Sequence, residues 1–242
     1  MPGADAATGV DVERAGRRWH CDGHDGTMPG PFVAERPMSE RHEAILSYWF
    51  GGDAADRDDG AIAGERMDLW FRADDTVDAE IEAEFGALLQ LARRGECDTW
   101  GESPRGRLAL IVLLDQFSRN IFRDTPDAFA SDRLALAHSL EGQTQDQDLA
   151  LRPVERLFFY MPMMHAESLP VQDRAVQRFE ELVTAVPEPE RAPFERSLKA
   201  AREHRDTILR FDRFPHRNRI LNRDSTPAET DFLARGQPAD AP

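Results

Sequence analysis

Apolar residues recur at three- and four-residue spacing through most of the chain, and no run alternates long enough to make a convincing strand pair. Ser39 reads as the cap of a first helix, with Ile45, Tyr48 and Trp49 on one face and Gly51 at its end. A second helical stretch covers Ile62 to Arg72. A longer one, Thr76 to Arg94, repeats Val77, Ile81, Phe85, Leu88, Leu89 and Ala92 and stops at Gly95. Ser103-Pro104 and Thr125-Pro126 are start signals, a capping side chain followed by proline at the first helical position. The first opens a helix to about Ser118. The second opens a segment broken near Ser131 that resumes to Glu141 and ends at Gly142. Pro153 starts a helix through Leu157, Phe158 and Met161, and Pro162 is expected to kink or end it. Val171 to Val183 and Phe194 to Phe211 follow, and Thr226-Pro-Ala-Glu229 has the spacing of a capping box.

The expectation is an all-α protein of eight to ten helices, with one domain over residues 39–235. Proline-capped helices in succession suggest stacked antiparallel pairs, although no 34-residue repeat is present. Residues 1–38 hold ten Gly or Pro and no apolar period, which predicts a disordered extension. Residues 236–242 read as a frayed end. Within the extension, His20-Cys-Asp-Gly-His24 looks like half of a metal site, but no second pair completes it. A solvated tail is the better reading, and no metal is expected.

Composition narrows the function. Of 242 residues, 40% are hydrophobic, including 14 Phe and 4 Trp, enough for a sizeable core. The longest apolar run, Leu108 to Leu114, is far short of the roughly 20 residues of a membrane span. A net charge of −15 and a pI near 4.9 argue against nucleic acid as a partner. Two distant cysteines, Cys21 and Cys97, and no apolar leader fit a reducing cytoplasm. Against this acidic background, Arg202 to Arg223 carries seven arginines and two histidines with only three acids. Clustered guanidiniums in an acidic chain suggest a place where an anion is held.

Three segments carry a family resemblance: Pro104 to Pro126 with its Asp115-Gln-Phe-Ser-Arg-Asn120 core, Phe159 to Glu167, and His204 to Asn218. Ile45-Leu-Ser-Tyr-Trp-Phe50 and Ser225-Thr-Pro227 fit as well. Over roughly residues 43–234 the chain resembles the bacterial family known as domain of unknown function 924. That resemblance implies a tetratricopeptide-like helical fold. It implies no activity and no catalytic residues, and residues 1–38 lie outside it.

Candidate chemistry therefore rests on the residues. Asp115 and Arg119 share a helical face four residues apart, as do Gln116 and Asn120. An arginine in a partly dry site grips carboxylate or phosphate through two parallel hydrogen bonds. His165 and Glu167 follow Pro162; they lack the partner motifs of a zinc deaminase or of a His-Glu-x-x-His site, although a metal held by both and a later histidine stays open. Phe214-Pro-His-Arg-Asn218 reads as a loop presenting His216, Arg217 and Asn218. The leading expectation is a pocket for a small anionic ligand. Asp115, Arg119, Asn120, Glu167, Arg217 and Asn218 would bind it, and His165, His204 or His216 would exchange protons. The alternative is a tetratricopeptide-like scaffold gripping an acidic peptide. A third possibility is that the arginines only pair with acids of the same chain. The residues name no cofactor and no oligomeric state. Cys97, set among acids, is not expected to act as a nucleophile.

Overall fold

Every residue from Leu108 to Leu114 is fully buried. A helix apolar on all sides must lie inside its fold, and this one does. In the computed structural model, which describes residues 37–235, it forms the central rod. It consists of α4 (Pro104–Ile111), a π-helical turn (Val112–Phe117) and α5 (Ser118–Ile121). Ser103 starts it as expected, its Oγ accepting from the Gly106 N–H at 3.1 Å.

The other helices gather around this rod. They are α1 (Met38–Phe50), α2 (Asp59–Phe71), α3 (Asp75–Arg93), α6 (Asp132–Thr144), α7 (Pro153–Met164), α8 (Leu169–Ala185), α9 (Arg191–Phe211) and α10 (Pro227–Ala234). α1, α6 and α7 lie along α4, and α3 lies against the π turn and α5. α7, α8 and α9 pack one on the next across short turns. Among the described residues the structure is all-α without strands, and with α4, the π turn and α5 taken as one rod the helix count fits the expected eight to ten. None of these helices is long and apolar enough to cross a membrane. Residues 1–36 of the expected N-terminal extension, its His20–His24 stretch and the frayed end past residue 235 lie outside the described residues, while Met38, expected in the extension, already belongs to α1.

α7 is the second buried rod. Phe158 sits at its centre, with ring centroids of Trp70 at 4.6 Å, Trp49 at 5.4 Å and Phe50 at 5.5 Å. The Trp70 indole donates to the Trp49 carbonyl at 3.0 Å, tying α2 to α1.

Several element ends differ from expectation. α1 starts at Met38 with Pro37 in the cap position, two residues ahead of the predicted Ser39 cap. The central helix passes Ser118 and reaches Ile121. Pro162 does not end α7, which continues to Met164, and the His165 N–H bonds the Met161 carbonyl at 3.2 Å. Gly142 does not stop α6, which runs to Thr144. Gly142 is there for close packing: a Cβ at that position would lie 2.5 Å from both Arg107 Cδ and Phe159 Cζ. Helix propensity alone would favour alanine by about 1 kcal/mol. The clash dominates, so Gly142→Ala should lower stability by about 1–3 kcal/mol, seen as a lower urea midpoint with an unchanged slope. An unchanged midpoint would show that Arg107 yields freely.

Candidate functional site

The π turn decides where the polar end of the central helix points. A π turn adds a residue to the helical repeat, and such turns recur at functional sites. Here the turn carries Asp115 and Gln116 into the core, with Asp115 fully buried. An ionised carboxylate survives there only if it is fully partnered. Asp115 Oδ1 accepts from His165 Nδ1 at 2.8 Å and from Arg119 Nη1 at 3.1 Å, and Oδ2 accepts a short hydrogen bond from the Gln116 amide. Burial by itself would raise this carboxyl. The Arg119 charge, then the His165 contact and the Gln116 bond, outweigh it and hold Asp115 well below the usual carboxylate range.

His165 closes α7 and is 4% exposed. Burial first, and the Arg119 charge second, lower its basicity against the opposing pull of Asp115, so the ring is neutral near pH 7. The Asp115 carboxylate offers only lone pairs, which places the ring proton on Nδ1. Nε2 is left as the basic nitrogen, and His165 forms part of a cavity wall. Gln172 holds the turn beneath it, its amide donating to the Met164 and Ala166 carbonyls at 2.7 and 2.8 Å.

From Asp115 the charges alternate. Arg119 donates to Asp132 Oδ1 and Oδ2 at 3.0 and 3.2 Å. Asp132 also accepts from Arg217 Nη1 at 3.2 Å. Both guanidiniums lie over the Phe129 ring, at 5.7 and 4.6 Å from its centroid. The chain His165–Asp115–Arg119–Asp132–Arg217 thus joins the π turn, the start of α6, the end of α7 and the 3₁₀ turn Pro215–Arg217.

The 3₁₀ turn Pro126–Phe129, the start of α6, the end of α7 and the stretch from Arg217 to Leu221 line an open cavity of about 420 Å³. Asp132, Arg133, His165, Glu167, Ser168 and Arg217 supply its polar lining. Phe129, Leu136, Pro126, Pro162 and Leu221 supply most of the rest. Glu167 is engaged by Arg223 at 2.8 and 3.0 Å and by the Phe214 N–H at 2.8 Å. Burial opposes its ionisation, but the Arg223 hydrogen bonds and the Phe214 N–H keep it ionised below its ordinary range.

The predicted residues therefore divide. His165, Glu167 and Arg217 line the cavity, with Asp115 and Arg119 directly behind it. Asn120 turns away and donates to Asp78 at 2.8 Å, beside the Arg123–Asp78 pair. Asn218 bridges Ser225 and Arg223. His204 faces the Ala200 carbonyl within α9 at 2.8 Å and packs on Phe214. His216 also packs on Phe214 and is not part of the lining. Phe214 to Asn218 is no exposed loop, since Arg217 and Asn218 are buried. Most of the arginine cluster is engaged internally: Arg202 with Glu180, Arg205 with Asp173, Arg213 with Glu229, and Arg223 with Glu167. Asp132, Arg133, Phe129 and Ser168 were not foreseen. Arg119, Asp132 and Arg217 are brought together across 13 and 85 residues of chain, and no local pattern signals that.

No group of three or more metal-ligating side chains occurs among the described residues. Glu167 and His165 turn to different partners, Arg223 and Asp115. The buried Cys97 thiol is pushed up to about 11, mainly by burial, with the neighbouring acids a smaller contribution than the sequence suggests.

Residues 45–237 match the family described as bacterial protein of unknown function, DUF924. The chain belongs to this family. A solved structure of the protein of unknown function ATU0120 from Agrobacterium tumefaciens is similar to this DUF924 chain. The two are 37% identical with a TM-score of 0.62, over 74% of this chain and 100% of that one. No curated protein sequence matches this DUF924 chain.

Proposed function

We propose that the cavity binds a small anionic ligand and that His165 is its proton acceptor. The observation that carries this reading is the Asp115–His165 pair, which leaves Nε2 as the basic nitrogen of a residue that lines a cavity together with two arginines. A carboxylate bonded to Nδ1 fixes the tautomer and stabilises the imidazolium that forms when Nε2 takes a proton. The arginine best able to receive an anion is Arg133. It is exposed at the cavity edge, whereas Arg119 and Arg217 share Asp132. An arginine-rich face for an acidic peptide is disfavoured, because acids of the same chain already engage most of the Arg202–Arg223 cluster. We place the protein in a reducing cytoplasm, in keeping with the unpaired thiol of Cys97.

Thermal melting against a panel of small carboxylates and phosphates tests the reading. A ligand at about 100 times its Kd should stabilise the protein by roughly 2.7 kcal/mol, and Arg133→Ala should abolish the shift while keeping the unliganded melting temperature. An anion whose shift survives in Arg133→Ala, or a panel without any hit, would remove the basis for this function.

A further inference from the structure

The charge balance of the cavity goes further than the sign of its ligand. Four guanidiniums, Arg119, Arg133, Arg217 and Arg223, surround it or stand directly behind its lining. They face three carboxylates, Asp115, Asp132 and Glu167, while His165 is neutral. Among the described residues, four against three leaves one positive charge. Asp132 lies between Arg119 and Arg217, and Glu167 holds Arg223, so a second anionic group would meet carboxylates on the wall. Beside these polar groups the lining has an apolar part, made by Phe129, Leu136, Leu221 and two prolines. Apolar walls reward an apolar body by roughly 25 cal/mol per Å² removed from water. A volume of about 420 Å³, where a liquid water takes about 30 Å³, fits a compound of on the order of ten non-hydrogen atoms.

We infer that the occupant is an amphipathic monocarboxylate: one carboxylate at Arg133, and a compact apolar or aromatic body between Phe129, Leu136 and Leu221. The inference rests on the anionic-ligand reading and narrows it. Phosphates and dicarboxylates are disfavoured by Asp132 and Glu167, and short acids by the unfilled apolar wall.

Calorimetric titration with a matched series tests this: 3-phenylpropanoate, its amide 3-phenylpropanamide, acetate, adipate and inorganic phosphate. The acid should bind at least about tenfold tighter than each of the others. Leu136→Asn should erase its advantage over acetate, and Arg133→Ala its advantage over the amide. Adipate or phosphate binding as tightly as 3-phenylpropanoate, or acetate doing so, overturns the monocarboxylate inference and leaves the anionic site standing. The amide binding as tightly as the acid overturns both readings, as does a series with no binding at all.

Discussion

Asp115→Ala should destabilise the protein by about 3–5 kcal/mol, the cost of removing one member of a buried charge network and leaving its partners under-compensated. Arg119 would keep Asp132 but lose its contacts at Asp115 Oδ1, and His165 would lose the acceptor of its Nδ1–H. Asp115→Asn keeps the shape and some hydrogen bonds and should lose less. Chemical denaturation measures both. The pH dependence identifies the carboxylate as the cause. Its folded-state pKa lies below its unfolded value, so its contribution is present above about pH 4 and is lost as pH falls towards the folded value. The gap between wild type and Asp115→Ala should therefore be constant near neutrality and close on acidification. A gap below about 1 kcal/mol at pH 7, or one indifferent to acid, would show that Asp115 is not the ionised centre of the network.

The sequence was legible wherever a local rule operates. Ser103-Pro104, the stop at Gly51, the periodic face of α3 and the Thr226–Glu229 capping box each depend on residues a turn apart, and each is found. It was misleading where tertiary packing outweighs a local rule. Gly142 reads as a helix end but is a point of contact with Arg107 and Phe159, and Pro162 reads as a break but stays inside a helix buried on all sides. The site was half legible for the same reason. Asp115 and Arg119 are four apart on one helix, so their pairing could be read directly. Arg217 was marked by its charge against an acidic chain, but its partner Asp132 was not, because nothing in Ser131-Asp-Arg133 distinguishes it from an ordinary helix start. The π turn left no pattern either. It is the step that sends Asp115 to His165 and leaves Asn120, an expected ligand contact, with Asp78.

Phe158→Ala should cost about 3–5 kcal/mol, because the ring is fully buried and its removal leaves a space that its neighbours cannot all fill. Trp49, Phe50 and Trp70 meet edge-on around it, and Phe71 stacks at 6.4 Å, so α1, α2 and α7 converge on a single side chain. Phe158→Leu keeps most of the volume and should cost about 1.5 kcal/mol or less. The effect should reach the cavity, since α7 carries Phe158 in its middle and Pro162 and His165 at its C-terminal end. Loss of near-ultraviolet dichroism from the two tryptophans would report the loosened core directly. Retention of full stability and tryptophan signal in Phe158→Ala would mean that α7 is held mainly by α4, α6 and α8, and that the aromatic cluster fills space without setting the position of the helix that bears His165.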